Sequence, residues 1–494
     1  MTSGDRLLRL LSSSWLSVTL LLALTSSLQA QVQLVKISTD AFHNSDSQHK
    51  SEVEPDTYAW GSTMVSAFQV ARIFGGGGAD IGFATTTDAG KTWTQGYLPG
   101  LTDNFKNGSF QAASDASVAY DAKHGVWLIS ALPIGFSGND VSVSRSADGL
   151  HWSKPILVDA SGGDDKNWTV CDNTASSPFY GNCYTEWDSG TIFMSTSSDG
   201  GLTWGPAKTT ADDAFGIGGQ PLVQPNGKVV VPIAGGNGMI AFISTDGGVS
   251  WGSSINVASV ISHAEDGGLR SPGLPSAEID HAGKIYLVWP DCRFRQGCTS
   301  NDLVMSSSTN GTSWTNPIRI PIDSRTSTVD HFIPGLGVDP ATSGTSTHLT
   351  LTYYYYPVSA CGNNCNLSVG FTTSQDGGRT WTAGKKLAGP MKLSWLPNTF
   401  SGPMVADYLS TSYVNGQPFG VFVVAGAPSG GVLNQAVYTT KNPLLVADSE
   451  PRFSSKGEKP VPNAKSDHGP RQFYDDDWKR PIPPEKQLPP LNRR

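Results

Sequence analysis

The fold of this chain is decided by the stretch Ser374-Gln375-Asp376-Gly377-Gly378-Arg379-Thr380-Trp381, which is one copy of a recurring pattern. In general form the pattern is Ser/Thr-x-Asp-x-Gly-x-Thr/Ser-Trp, and two of its six copies are one residue shorter. The other copies end at Trp93, Trp152, Trp204, Trp251 and Trp314. Successive tryptophans are 59, 52, 47, 63 and 67 residues apart. Repetition at this period indicates a fold built from similar supersecondary units.

The residue types of the pattern predict a tight turn at the tip of a β-hairpin. Alternating or apolar runs such as Ile192–Thr196 and Leu367–Thr372 precede the copies and have the period of a strand. The Asp or Asn side chain accepts hydrogen bonds from its own turn, and glycine adopts the positive φ that other residues resist. The closing tryptophan is large and apolar, so we expect it to pack between neighbouring sheets. These residues are therefore expected to hold the fold and to take no part in catalysis.

The composition of the chain is that of an all-β protein. Only 15% of the 494 residues are charged, whereas the chain contains 55 Gly, 32 Pro and 14 Trp. This balance argues against helical bundles, coiled coils and wholesale disorder, and it favours short strands joined by turns. The formal net charge of -8 argues against nucleic acid as a partner, because such a partner requires a basic surface.

The six copies resemble the Asp boxes of the sialidase-like β-propellers, and the resemblance extends over residues 31–442. In that family the box lies between the third and fourth strands of a blade, on the face opposite the active site. The resemblance implies a propeller of seven four-stranded blades, with six blades as the alternative. The seventh segment, residues 404–439, has no true box and lacks a fourth strand. The alternating stretch Gln33–Ser38 lies before the first segment and has no blade of its own. We expect this N-terminal strand to close the last blade, because closure removes exposed sheet edges.

The segments outside the propeller have different compositions. Residues 1–30 place Arg6 and Arg9 before the apolar run Trp15–Leu24, which is the layout of a secretory signal peptide, with a retained anchor as the alternative. Residues 443–494 are rich in proline, and from Ser449 onward they contain ten Lys or Arg against seven Asp or Glu. We predict that this tail is disordered.

The cysteines support export to an oxidising compartment. The six cysteines form three pairs that are close in sequence, so we expect three local disulfides, although six cysteines allow fifteen connectivities. The expected pairs are Cys171 with Cys183, Cys292 with Cys298, and Cys361 with Cys365. No His lies beside them at the spacing of a zinc site. We therefore predict a secreted or periplasmic monomer without a membrane span and without a metal or other cofactor; a structural calcium ion is not indicated by any motif.

The loops at the face opposite the boxes hold the candidate functional residues. Sialidases clamp a sugar carboxylate with three arginines and use a tyrosine nucleophile primed by a glutamate, with an aspartate as the acid. Guanidinium groups bind carboxylates in bidentate fashion, and a tyrosine needs a neighbouring base before it can attack. By this resemblance the catalytic candidates are Tyr408 on the inner strand of the last blade, Glu54 and Asp165. The substrate-binding candidates are Arg72, Arg270, Asp291 and Arg293.

Each candidate has a purely structural alternative. Arg293 and Asp291 can form a surface ion pair, Tyr408 can belong to the core, and Glu54 can be a turn residue. The Phe/Tyr-Arg-Ile-Pro motif of sialidases has only an imperfect match, Ile318-Arg319-Ile320-Pro321, on an expected outer strand, so no role is assigned to Arg319. The leading hypothesis is an extracellular sialidase-like glycoside hydrolase that acts on an acidic sugar at a glycan terminus. The alternatives are a non-catalytic propeller that binds glycan or protein through the same face, and a scaffold tethered by the Pro-rich tail.

Overall fold

The structure of the protein is a computed structural model that describes residues 32–136, 138–445, 447, 449–462 and 464–466. The expected signal peptide lies outside these residues. The described chain is an all-β propeller in which the helical segments are five 3-10 helices of three residues each. These are Asp266–Gly268, Gln296–Cys298, Gly344–Ser346, Gly362–Asn364 and Leu393–Trp395. Among the described residues, no helix has the length and apolar character needed to cross a membrane.

The strands are grouped into antiparallel sheets that follow one another along the chain. After β1 (Leu34–Lys36), nine strands form one sheet: β2 (Val53–Trp60), β3 (Thr63–Arg72), β4 (Gly78–Thr86), β5 (Thr94–Tyr97), β6 (Ala112–Asp121), β7 (Val126–Gly135), β8 (Gly138–Asn139), β9 (Val141–Ser146) and β10 (Ile156–Asp159). Three four-stranded sheets follow. The first contains β11 (Asp165–Cys171), β12 (Cys183–Asp188), β13 (Ile192–Ser197) and β14 (Lys208–Thr209), and the second contains β15 (Leu222–Val223), β16 (Val229–Gly235), β17 (Gly238–Ser244) and β18 (Ile255–Ser259). The third contains β19 (Ser276–Ile279), β20 (Ile285–Asp291), β21 (Asp302–Ser308) and β22 (Ile318–Arg319).

Two further four-stranded sheets complete the ring. One contains β23 (Asp330–Val338), β24 (Leu349–Tyr356), β25 (Asn366–Ser374) and β27 (Lys385–Lys392), and the short β26 (Trp381–Thr382) lies between the last two in sequence. The other contains β30 (Ser410–Val414), β31 (Gln417–Ala425), β32 (Gln435–Thr440) and β1. Two-residue strands β28 (Asn398–Thr399) and β29 (Gly402–Pro403) pair with each other, and β33 (Arg452–Phe453) pairs with β26.

The number of separate blades differs from the sequence-based prediction. The structure has five separate four-stranded blades, so the prediction of seven separate blades and the alternative of six are both wrong. The difference arises because the strands of the first two repeat segments form one nine-stranded sheet, in which β4 and β6 meet through the pair Gly78 and Ala113. A Cβ atom on Gly77 would lie 2.9 Å from the Ala113 carbonyl oxygen. The absence of a side chain at Gly77 therefore permits this contact between the two segments.

The predicted closure of the ring by an N-terminal strand is confirmed. Strand β1 pairs antiparallel with β32, from Leu34 opposite Thr440 to Lys36 opposite Tyr438. The inner strand of this blade begins at Ser410, later than predicted, so Tyr408 lies in the loop before the strand and not on it.

The repeated pattern forms the expected turns at the ends of the hairpins. In the last copy, the Ser374 hydroxyl donates to Asp376 at 2.9 Å, and the Thr380 amide and hydroxyl donate to the same carboxylate at 2.9 and 2.7 Å. Trp381 is 1% exposed and packs among apolar residues of two neighbouring blades, including Met305 and Leu349. The turn and the tryptophan therefore link one blade to the next, as the residue types predicted.

The three expected disulfides are present, and they are consistent with an extracellular protein. Cys171 and Cys183 join β11 to β12, and the other two bridges close short loops that follow β20 and β24.

Part of the C-terminal segment lies against the propeller, in contrast to the disordered tail that its composition suggests. Strand β33 adds to β26, the Val461 amide donates to the Arg293 carbonyl oxygen at 2.7 Å, and the Ser262 amide donates to Ser466 at 3.2 Å. These contacts follow from backbone hydrogen bonding, which a composition argument does not detect. Residues 467–494 of the expected tail lie outside the described residues.

Candidate active site

Three inner strands deliver charged side chains to one point at the face where these strands begin. Strands β2, β6 and β11 each contain a register shift near their first residues. At these shifts Glu54, Asp115 and Lys166 have φ values of 55°, 47° and 50°, in the left-handed region. A bulge re-aims a side chain, and each such backbone conformation costs on the order of 1 kcal/mol in a residue other than glycine. The fold therefore holds three strained residues in place, and all three carry a charge-bearing side chain.

The ammonium group of Lys166 lies among three carboxyl groups. Its Nζ atom is 3.3 Å from Glu54, 2.9 Å from Asp115 and 3.0 Å from Asp407. Arg270 holds Asp407 from the other side in a bidentate pair, with Nε–Oδ1 at 2.9 Å and a second nitrogen–Oδ2 contact at 2.6 Å. We call these five residues the Lys166 cluster. All are buried, so their charges interact with little screening by solvent.

The carboxyl groups of the cluster differ in their protonation. Burial raises the pKa of Glu54 to about 8, although Lys166 acts in the opposite direction. Burial also opposes ionisation of Asp407, but Arg270 and Lys166 outweigh it and hold the pKa of that carboxyl below its usual value. Burial thus favours the protonated form of Glu54, whereas the two cations favour the ionised form of Asp407. Such a separation of two neighbouring carboxyl groups is the usual preparation for acid–base chemistry.

Asp165 and Tyr408 border the cluster. The Lys166 amide donates to the Asp165 carboxyl group at 2.9 Å, and burial, followed by the neighbouring Asp188 and Asp115, raises the pKa of Asp165 well above its usual value. The Tyr408 ring centroid is 5.3 Å from Lys166 Nζ, and its hydroxyl donates to the Ala116 carbonyl oxygen at 3.2 Å. Burial, followed by Glu54 and Asp115, raises the pKa of this tyrosine. The structure thus places the three predicted catalytic residues beside Lys166: Glu54 and the Tyr408 ring face its ammonium group, and Asp165 accepts from its backbone amide.

The opening above the cluster is small. A cavity of about 10 Å³ is lined by Asp115, Lys166, Trp168 and Tyr408, together with Leu274 and Pro275 from the loop before β19. Trp168 is half-buried and its ring is 5.2 Å from that of Tyr408. A cavity of this volume holds about one water molecule. A sugar would therefore have to bind at the rim, over Trp168 and Tyr408, unless the loops move.

Three predicted substrate-binding residues have other partners. Arg293 forms a bidentate pair with Asp291, at 2.8 and 2.6 Å, and this pair is buried, whereas the structural alternative was an ion pair at the surface. Arg72 donates to the Gly77 carbonyl oxygen at 2.8 Å within its own hairpin. The prediction that Arg72, Arg270 and Arg293 converge on one carboxylate finds no support in these contacts, because each guanidinium group is held by a different acceptor. Of the four predicted substrate-binding residues, Arg270 lies in the Lys166 cluster.

Sequence analysis did not select Lys166, Asp115 and Asp407. A usable signal was present in the repeat itself, since Glu54, Asp115 and Lys166 lie 39, 37 and 38 residues before the tryptophans Trp93, Trp152 and Trp204. Alignment of the segments on these tryptophans therefore places the three charged residues within two positions of one another.

Two other groups of side chains in the described part of the chain have metal-ligating atoms close together, and both already have partners. Asp302, Asp323 and His331 lie near each other, but Arg295 contacts both carboxylates at 2.6 and 2.7 Å, and Arg319 contacts them at 2.8 and 2.7 Å. The second group contains Asp121 and the disulfide-bonded pair Cys171 and Cys183. The arginines and the disulfide explain these two groups without a metal ion.

Comparison with known proteins finds similarity of structure at low sequence identity. No protein-family model and no curated protein matches it. A mutant of NanB sialidase from Streptococcus pneumoniae is similar with a TM-score of 0.41 and 15% identity, over 83% of this chain and 70% of that one. Trypanosoma rangeli sialidase bound to the inhibitor DANA gives 0.42 and 12%, over 82% of this chain and 58% of that one. The intramolecular trans-sialidase from Ruminococcus gnavus gives 0.39 and 13%, over 86% and 99%.

The sheet topology of this chain establishes the β-propeller that the resemblance to the sialidase-like propellers implied. Similarity at 12 to 15% identity assigns neither an activity nor a substrate to the chain.

Proposed function

We propose that this protein is an extracellular glycoside hydrolase whose reaction centre is the Lys166 cluster together with Tyr408 and Asp165. The observation that supports it most directly is that the Tyr408 ring and three carboxyl groups surround one buried ammonium group. Hydrolysis of a glycosidic bond requires a nucleophile, a base to prime it and an acid for the leaving group. Tyr408 is the proposed nucleophile, Glu54 in its ionised form the proposed base, and Asp165 the proposed acid.

In the proposed reaction the Tyr408 oxygen attacks the anomeric carbon while Glu54 takes the phenolic proton. Asp165 gives its proton to the departing glycosidic oxygen, so that the bond to the leaving group breaks as the bond to Tyr408 forms. A water molecule then attacks the same carbon, its proton passes to Asp165, and Tyr408 regains its proton from Glu54. Lys166 favours the phenolate, because its positive charge lies 5.3 Å from the ring.

The protonation of Glu54 predicts an alkaline rise in rate. Glu54 accepts a proton only when it is ionised, and burial raises its pKa to about 8. The rate of the first step should therefore increase as the pH rises through about 8. A pH profile of kcat/KM that is flat between about pH 6 and about pH 9 would contradict the assignment of Glu54 as the base.

The test is hydrolysis of a panel of chromogenic glycosides by the purified protein. The panel contains a sialoside, a glucuronide, a galacturonide and neutral arabinosides. An acidic sugar would be recognised by Arg270 and Lys166, but Asp407 and Asp115 already balance the charges of these two cations, so neutral substrates are included as well. Tyr408→Phe is expected to lower kcat by at least about 100-fold for whichever glycoside is cleaved. Tyr413→Phe is the matched control, since Tyr413 is also buried but bonds Thr350 at 2.8 Å, away from the cluster. Equal activity of both variants would refute the proposed role of Tyr408.

A second candidate function is glycan binding without catalysis. The small volume of the cavity and the bidentate pairing of Arg270 favour it, because both leave little room for a sugar at the reaction centre. In that case no glycoside in the panel would be cleaved, and binding to an array of glycans would depend on the rim residue Trp168. A Trp168→Ala variant that loses glycan binding, in a protein without turnover, would favour this function over hydrolysis.

A further inference from the structure

A much larger cavity lies at the other end of the propeller axis. Its volume is about 540 Å³, and it is lined by the final residues of the inner strands. These include Trp60 at the end of β2, Cys171 at the end of β11, Ile279 at the end of β19, Val338 at the end of β23 and Tyr413 near the end of β30. Glu54 and Lys166 of the Lys166 cluster lie at the beginnings of β2 and β11, and Arg270 and Asp407 lie in the loops before β19 and β30, so the two sites occupy opposite ends of the central axis. This volume lies within the range of small-molecule binding sites.

The charged lining of this cavity is acidic. Its titratable side chains are Glu278, Asp280, His281, Tyr58 and Tyr413, and no lysine or arginine of the described part of the chain contributes to the lining. A site without a cationic side chain offers nothing to offset the charge of an anion. An anionic ligand such as a phosphate or a sialic acid is therefore disfavoured here.

Glu278 is the carboxyl group of the cavity lining that has no side-chain hydrogen-bond donor among the described residues. Within the described residues no side chain donates a hydrogen bond to its carboxyl group, and only the adjacent Ile279 amide contributes one. Asp280 differs, because it accepts bonds from the Ala282 and Lys284 amides at 3.0 and 2.9 Å and from Thr347 at 3.0 Å. The Glu278 carboxyl group is therefore available to a ligand, whereas that of Asp280 is occupied.

Aromatic rings stand at the rim of the same cavity. The Trp60 side chain is 41% exposed, and its ring lies 5.2 Å from that of Tyr120. Tyr58 also lines the cavity, and its hydroxyl accepts a hydrogen bond from Asn173 at 3.2 Å. Aromatic faces attract cations within about 6 Å, and a supporting ring keeps such a face in position.

We propose that this cavity binds a small organic cation with an ammonium group, which pairs with Glu278 while its hydrocarbon part contacts Trp60 and Tyr58. A bare metal ion fits less well, because Ca²⁺ takes about six to eight oxygen ligands and the oxygens of Asp280 are already used. A neutral polyol could hydrogen-bond to Glu278, but it would leave the acidic lining without a counter-charge. The proposal is independent of the hydrolase proposed for the opposite face.

Proton release should accompany binding of the cation. Burial, followed by the charge of Asp56, raises the pKa of Glu278 to about 8. Asp56 itself is buried, and burial raises its pKa to about 7. At about pH 7 an arriving ammonium group therefore ionises Glu278, and affinity should rise by up to about tenfold per pH unit below the pKa of Glu278. Among the described residues, Asp56 and Tyr58 interact electrostatically with Glu278, and the other titratable groups of the same lining are Asp280, His281 and Tyr413.

The experiment is titration calorimetry of the full-length protein with 1,5-diaminopentane and with tetramethylammonium. Galactose and sulfate serve as neutral and anionic probes. We expect the two cations to bind and the other two probes to give no heat, with about one proton released per diamine at about pH 7 when buffers of different ionisation enthalpy are compared. Binding of galactose or sulfate without binding of either cation would overturn the proposal.

Two variants and a control assign the binding to this cavity. Glu278→Gln should weaken diamine binding at least about tenfold and abolish proton release, whereas Trp60→Ala should weaken tetramethylammonium about threefold or more. Glu450→Gln, which removes a carboxyl group from the partly exposed pair with Lys385, should leave both unchanged. Trp60 lies at the rim, so its variant remains informative if Glu278→Gln does not fold. Parental affinity in both cavity variants would place the cation elsewhere and refute the site.

Discussion

Replacement of Lys166 by methionine tests whether the Lys166 cluster is an integral part of the fold. Methionine has nearly the length of lysine but no charge, so the change removes the ammonium group and keeps most of the packing. The variant leaves three carboxyl groups in a buried position without the cation that contacts each of them at 3.3 Å or less. We therefore expect a large loss of stability from a single substitution.

The contacts of each carboxyl group indicate where the loss arises. Glu54 contributes little, because its pKa of about 8 leaves it protonated at neutral pH. Asp407 keeps its bidentate pair with Arg270, at 2.9 and 2.6 Å. Asp115 keeps one hydrogen bond from Ser114 at 2.9 Å but loses its ion pair. Breaking a buried pair on one side costs about 3–5 kcal/mol, so Lys166→Met should lower the free energy of unfolding by about that amount.

The assay is urea unfolding followed by tryptophan fluorescence at about pH 7.5 and about pH 5. A buried carboxylate without its cation is relieved by protonation, so the loss should be smaller at the lower pH. Lys166→Met with Asp115→Asn should recover most of the stability, whereas the exposed Lys208→Met should change it by less than about 0.5 kcal/mol. A loss below about 1 kcal/mol at neutral pH, or an equal loss with and without Asp115→Asn, would refute this account of the cluster.

Two further substitutions separate the fold from its surface loops. Trp381→Ala removes a ring that is 1% exposed between two blades, so it should lower the free energy of unfolding by about 3–5 kcal/mol. A loss of less than about 1 kcal/mol in urea unfolding would show that the tryptophan does not join the blades. Replacement of both Cys292 and Cys298 by serine opens a loop that closes over a sequence separation of 6 and should cost about 2–3 kcal/mol or less. The unfolding of this variant should remain cooperative, and a broad, multi-step urea transition would contradict the view that the bridge serves one loop and not the blades.

The sequence contained enough information to predict the architecture of the fold. The hydroxyl, carboxylate, glycine and tryptophan of the turn that ends at Trp381 interact within eight residues, so their pattern can be read directly. Short separation also made the disulfides predictable, and the alternating pattern around Leu34–Lys36 identified the strand that closes the ring. Local interactions of this kind leave a local pattern in the residues.

Only the tertiary structure decided how many sheets are separate and which side chains share the candidate site. The first two repeat segments form one sheet because Gly77 and Gly78 approach Ala113 closely, and no local sequence pattern predicts this contact. The same holds for Lys166 and Asp407, which lie 241 residues apart in sequence and 3.0 Å apart in space. Resemblance to sialidases placed Tyr408, Glu54 and Asp165 in one site, but it also grouped three arginines that the structure holds on different acceptors. The type of a residue indicates which kind of partner its side chain requires. Which partner it contacts is determined by the packing of distant strands and by the backbone bulges that orient the side chains.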